Sequence, residues 1–160
     1  MSSGTVTEEQ SKLLTTVLSD IAVQTEANAV FLSDYGGNII AHISPAGDET
    51  IQNIAALAAG SFSATRELAG MIGEPTFSSV FHKGEHSSIF IQSIARSFLM
   101  LVIFGKETTI GLVKLYVEKA CQELDPLLRK MQDQGVAAQP AAKPFEMTSG
   151  APIFKPPASK

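Results

Sequence analysis

The sequence predicts an α/β (α+β) domain in which one antiparallel five-stranded sheet carries helices on both faces. Three observations predict it. Three stretches repeat apolar residues at helical spacing between recognisable start and stop signals. Five short β-rich runs fall into a pair and a triple, and within each group the connections are too brief for parallel crossovers, which makes those neighbours antiparallel. The chain is 160 residues long, 44% hydrophobic and 18% charged, which suits one globular domain.

The first helix starts at Thr7-Glu-Glu-Gln10, a capping box in which hydroxyl and amide satisfy each other's backbone N–H. Leu14, Val17, Leu18 and Ile21 then make one apolar stripe, and the helix ends near Glu26-Ala-Asn28. Ala29–Ser33 and Ile39–Ile43 form a hairpin around Asp34-Tyr-Gly-Gly-Asn38, where glycines are available for positive φ. Ser44-Pro-Ala-Gly-Asp48 breaks the pattern. A long helix follows from about Glu49 to Ile72, stopped by Gly73 with Pro75 beyond it. Strands are expected over Thr76–His82, Ser88–Ala95 and Phe98–Phe104, with tight turns at Lys83-Gly-Glu-His86 and Arg96-Ser97. Thr108 or Thr109 caps a last helix carrying Ile110, Val113, Leu115, Val117, Ala120, Leu124, Leu127 and Leu128, which Pro126 should kink or bring to its final stretch. Residues 1–6 read as a disordered N-terminus. From Gly135 to residue 160 five of the eight prolines occur among Ala, Ser and Lys, so this tail reads as disordered too. Its Phe145, Ile153 and Phe154 are either isolated apolar residues of a linker or a short docking motif.

Several functions are excluded by what is missing. A net charge of −4 and a pI near 5.3 give no basic footprint for nucleic acid or for an anionic membrane. The apolar run Phe98–Phe104 suits a buried strand and is far too short for a ~30 Å bilayer. No basic, apolar leader opens the chain, so a cytoplasmic location is expected. The single Cys121 can make neither an internal disulfide nor a metal cluster, and reads as a small buried helix residue. Gly105-Lys-Glu-Thr-Thr109 lacks the Ser or Thr after Lys and the first Gly of a phosphate-binding loop, and serves as turn plus helix cap. His82 and His86 share a hairpin without a third ligand nearby. No Gly-x-Ser-x-Gly elbow occurs. Arg66 and Arg96 could each be pictured reaching a partner's phosphates, but ordinary solvated charge is the simpler reading of both. No catalytic residue, cofactor site or metal site is expected.

The long helix carries the remaining signal. On a wheel of about 100° per residue, Leu57, Ser61, Ala64 and Leu68 share one side, flanked by Ile54, Thr65, Met71 and Ile72. That side is expected to pack on the sheet. Opposite lie Ala59, Gln52, Ala55, Ser63, Arg66 and Gly70, with Ala56 and Glu67 just beyond and Ile51 and Phe62 at the edge. Small residues where an exposed helix usually carries Lys and Glu let another backbone approach. Alanine is also simply the best helix former, which leaves Gly60, Ser63 and Gly70 unexplained.

The element order, with Ala-Leu-Ala-Ala-Gly60 and Leu-Ala-Gly-Met-Ile-Gly73 on this helix, resembles the Roadblock/dynein-light-chain family. Ala29-Val-Phe-Leu-Ser-Asp-Tyr-Gly-Gly-Asn38, Phe81-His-Lys-Gly84, Leu101-Val-Ile-Phe104 and Thr109-Ile-Gly-Leu-Val-Lys-Leu115 match in the same order. The resemblance is to the bacterial members that partner Ras-like GTPases, and it gives residues 7–134 as the Roadblock domain. It implies a cytoplasmic homodimer controlling polarity or motility, recruited to a cell pole, with Ile51, Phe62, Thr76, Phe77, Ser78 and Val80 at the dimer interface. It further implies that Gln52, Ala56, Ala59, Gly60, Ser63 and Glu67 bind a Ras-like small GTPase. Activation would come by repositioning the GTPase's own catalytic residues rather than by inserting an arginine. A non-activating scaffold, or a motor or cargo adaptor, is the other reading of the same features.

Overall fold

A computed structural model describes residues 5–136; residues 1–4 and 137–160, and with them Phe145, Ile153 and Phe154, lie outside the described residues. The elements are α1 (Glu8–Thr25), β1 (Ala29–Asp34), β2 (Ile39–Ile43), α2 (Asp48–Met71), β3 (Ser79–His82), β4 (Ser87–Ile94), β5 (Phe98–Gly105) and α3 (Ile110–Asp133). All strand pairs are antiparallel, and the sheet order is β2-β1-β5-β4-β3. The expected element order and sheet are therefore present.

Local chemistry sets the element ends. The Thr7 N–H donates to Gln10 Oε1 at 3.0 Å while the Gln10 N–H donates to Thr7 Oγ1 at 3.1 Å, closing the capping box. At the C-terminal end of α2, Gly73 takes φ +81°, the Glu74 N–H reaches the Ala69 carbonyl and the Gly73 N–H that of Gly70. This is a Schellman turn. Thr109, rather than Thr108, caps α3 by accepting the Leu112 N–H. The helix then runs through Pro126 to Asp133. β3 begins at Ser79, shorter than the run from Thr76, because the pairing with β4 starts there; before it only the Ser78 carbonyl is engaged by β4, through the Ser93 N–H at 2.8 Å. The β4–β5 turn places two non-glycine residues, Ala95 and Arg96, at φ +51° and +61°. They stand in a three-residue connection, Ala95–Ser97, which the Ser97 N–H closes by donating to the Ile94 carbonyl at 3.3 Å.

Side-chain alternation divides the core in two. Val30, Leu32, Phe90, Phe98, Met100 and Val102 point to one face, where Leu14, Leu18 and Ile21 of α1 and Val113, Val117 and Leu124 of α3 cover them. Phe31, Val80, Ile91, Leu99 and Leu101 point to the other, which α2 covers alone.

The sheet-facing side of α2 is the reverse of the expectation. Ile51, Ala55, Ala59, Phe62 and Ala69 are buried, Ala59 at 5% and Phe62 at 2% exposure. Leu57 and Leu68 are 75% and 58% exposed. Physically, the alanines bring the helix axis close to the sheet, and Ile51 and Phe62 on the same side supply the volume. The β1–β2 turn also lies close against the helix backbone: a Cβ on Gly37 would lie 2.8 Å from the Ala56 Cα. A row of leucines would have held the helix further away.

Candidate functional site: the outer surface of the long helix

One helix covers a five-stranded face, so both of its flanks stay open. On the β3 side, Ile54, Leu57, Ala58 and Ser61 of α2 form a hollow of about 460 Å³ with His82, Ile89, Ile91 and Leu101 of the sheet. Its lining is mostly aliphatic. Ser61 Oγ and His82 Nε2 meet across it at 3.3 Å. Leu57, Ser61, Ala64 and Leu68 follow one another at spacings of four, three and four, the seam spacing of helices packed on helices. That seam is turned to solvent. β3 lies beside it as the last strand of the sheet, bonded on one edge only.

Next to this apolar row, around the helix, runs a strip with almost no side chains. Ala56 and Gly60 are exposed, with Gln52 and Glu67 at its margins and Ser63 half-buried. A Cβ on Gly60 would meet nothing within 4 Å. A partner's backbone can approach such a strip closely.

The residues expected at the site divide accordingly. Gln52, Ala56, Gly60 and Glu67 are at the surface and Ser63 is partly so, whereas Ala59 is buried in the same core cluster as Phe31 and Leu101. Of those expected between copies, Thr76 and Ser78 are exposed, but Ile51, Phe62 and Val80 are taken up by this chain's own core. The reason is the same shift of the wheel: the sheet needs its bulk from Ile51 and Phe62 because their neighbours on that side are alanines. Phe77 is half-buried and stacks on Phe62 at 5.1 Å between centroids, with Tyr35 on Phe62 at 5.6 Å. Leu57, Leu68 and Ile72 take the exposed apolar places instead. The four-and-three spacing of Leu57, Ser61, Ala64 and Leu68 was visible in the sequence, but it fits a sheet-packed stripe equally well.

The other candidates carry no assembled chemistry. Among the described residues no cluster of His, Cys, Asp and Glu could hold a metal ion. His86 lies in the β3–β4 turn and Arg96 in the β4–β5 turn, both exposed. Cys121 is half-buried in α3, and burial, with the Asp125 and Glu118 carboxylates, pushes its pKa up to about 12. It is a protonated packing residue rather than a nucleophile. No described helix is long and apolar enough to cross a membrane.

Comparison with known proteins agrees with this architecture. The sequence profile of the Roadblock/LC7 domain matches residues 7–104. MglB of Myxococcus xanthus is 30% identical, with a TM-score of 0.69, over 74% of this chain and 96% of that one. The gliding protein MglB of Thermus thermophilus shares the fold at 24% identity and TM-score 0.73, over 81% and 98% of the two chains. A structure described as MglB with tetrameric arrangement does so at 23% and 0.74, over 82% and 98%. No curated protein sequence matches. With its element order, its sheet and its profile in agreement, this chain belongs to the Roadblock/LC7 family.

Proposed function

We propose that this protein is a homodimeric regulator that activates a bacterial Ras-like small GTPase of the MglA type, in the control of cell polarity or motility. The observation that carries the reading is the division of α2's outer surface into an apolar seam and a strip of small residues. Membership of the Roadblock family and the likeness to MglB structures support a regulatory rather than a catalytic role.

The seam (Leu57, Ser61, Ala64, Leu68) and the adjoining hollow take the same seam of a second copy, so that two long helices lie side by side. Thr76, Phe77 and Ser78 lead into β3, whose free edge pairs with its twin and closes an otherwise open ladder. The small strip (Gln52, Ala56, Gly60, Ser63, Glu67) then faces outward from the paired helices as the GTPase-docking surface. Ala59 acts from beneath by letting α2 sit close to the sheet. Residues 7–134 act as one Roadblock unit, and the cell pole is its place of action.

The mechanism is differential binding. A dimer that fits the GTPase best in its hydrolysis-competent conformation shifts the GTPase towards it and lowers the barrier without contributing a reacting group. The test is single-turnover phosphate release from an MglA-type GTPase with and without saturating dimer. Acceleration is expected, and Ala56→Arg should remove both binding and acceleration while the dimer persists. Unchanged hydrolysis with intact binding would leave a scaffold; intact binding by Ala56→Arg would move the docking site off this strip.

A further inference from the structure

Arg66 is the only cation in the 24 residues of α2, and it stands at the margin of the small-residue strip. It is not loosely solvated. Its guanidinium carbon lies 5.5 Å from the centroid of the Tyr35 ring. The Tyr35 hydroxyl is hydrogen-bonded to that of Ser93 on β4, and the ring leans on Phe62. Sheet and helix together therefore fix the platform on which the guanidinium rests. A cation held over a ring face can still turn its N–H donors outward to a ligand.

Among the described residues those donors have no carboxylate of their own. The ion pairs among the described residues are Lys12–Glu8 and Arg129–Asp125, and neither involves Arg66. Glu74, close by, accepts the Thr76 N–H through Oε1 at 3.2 Å, and it forms no ion pair with Arg66 among the described residues. Beside Arg66 opens a hollow of about 490 Å³, walled by Gly70, Gly73, Glu74, Pro75 and Phe77. At Gly70 a Cβ would meet nothing within 4 Å, so the approach is clear. The carbonyls of Ala69 and Gly70, which would repel an anion at this helix end, are engaged by the Schellman turn.

We propose that Arg66, held on Tyr35, is the anchor that receives a carboxylate side chain of the docked GTPase in this hollow. The inference rests on the docking reading above and deepens it. Tyr35 is the positioning residue. A planar fork meets a carboxylate through two parallel hydrogen bonds, and the pair strengthens once water has left the hollow. Partner selection then depends on an acidic residue at one place on the GTPase surface.

The experiment measures the affinity of the full-length dimer for an MglA-type GTPase loaded with a non-hydrolysable GTP analogue, between low and high salt. Arg66→Ala is expected to weaken binding about 10- to 100-fold at low salt and to flatten its salt dependence. Arg66→Lys should recover only part of the loss, because it keeps the charge and loses the fork. Tyr35→Phe should bind within about twofold of the parent, since the ring face remains, whereas Tyr35→Leu should resemble Arg66→Ala. Dimer mass and circular dichroism of each variant check the fold. If Arg66→Ala binds within about twofold of the parent while Ala56→Arg abolishes binding, the anchor is refuted and the docking surface stands. Should both variants bind like the parent, the docking surface itself is refuted. A loss with unchanged salt dependence would assign Arg66 to packing and overturn the carboxylate pairing.

Discussion

Leu57 offers a direct test of self-association, because it contributes little to its own subunit. Its side chain is 75% exposed on a helix whose other face is buried. Full burial of a leucine is worth about 1.5–3 kcal/mol, so covering the exposed part stabilises an interface by about 1–2 kcal/mol. In an interface with twofold symmetry each substitution acts twice, which makes Leu57→Ala worth about 2–4 kcal/mol of dimerisation. The dissociation constant should rise about 30- to 1,000-fold. Sedimentation velocity over a concentration series reads this directly, and Leu68→Ala, at 58% exposure, should give a smaller rise. The unfolding midpoint of the variant, measured where the protein is monomeric, should stay near that of the parent, because few core contacts are lost. A dissociation constant unchanged within about twofold would refute the seam and leave the Leu57–Leu68 row unpartnered.

Three further outcomes follow from particular residues. Gly37→Ala puts a Cβ at 2.8 Å from the Ala56 backbone on a residue with φ +86°, and should cost about 2 kcal/mol or more in urea denaturation. Arg96→Gly relieves the left-handed strain at φ +61° in an exposed turn, and after the entropy of the added glycine should stabilise by about 0.5–1 kcal/mol, read as a rise in Tm. Cys121 should react with iodoacetamide at about pH 8 at least about a hundredfold more slowly in the folded protein than in urea, since the folded thiol is pushed up to about 12 from 9.0. The sign for stability is that of a raised acid: what the neutral thiol contributes is whole below pH 9.0 and is lost as the pH climbs towards about 12.

Ala56 and Ala59 show where the sequence stopped being sufficient. Both are alanines on one helix, three residues apart, and both were expected at the docking surface. The first is exposed and the second is 5% exposed over the sheet, so arginine at Ala56 should spare the fold and arginine at Ala59 should break it. Leu57 and Leu68 reversed in the same way. A helical period says which residues share a side, not which side faces in.

By itself the sequence determined the features that depend on neighbours in the chain. Thr7 with Gln10, Thr109 with Leu112, Gly73 after Met71 and the alternation of β1 and β5 fix where elements begin, end and change face, because capping and pleat act over a few residues. Tertiary structure decided the rest. Phe31, Leu101 and Val80, distant from one another in the chain, form the bed on which α2 lies. Small residues fit that bed, and so the large ones of α2 are left for a partner. Arg66 found its platform in the same way, on a Tyr35 ring thirty-one residues earlier in the chain. No local pattern reaches across that separation; only the folding of β1 and its turn beneath α2 brings the ring and the guanidinium together.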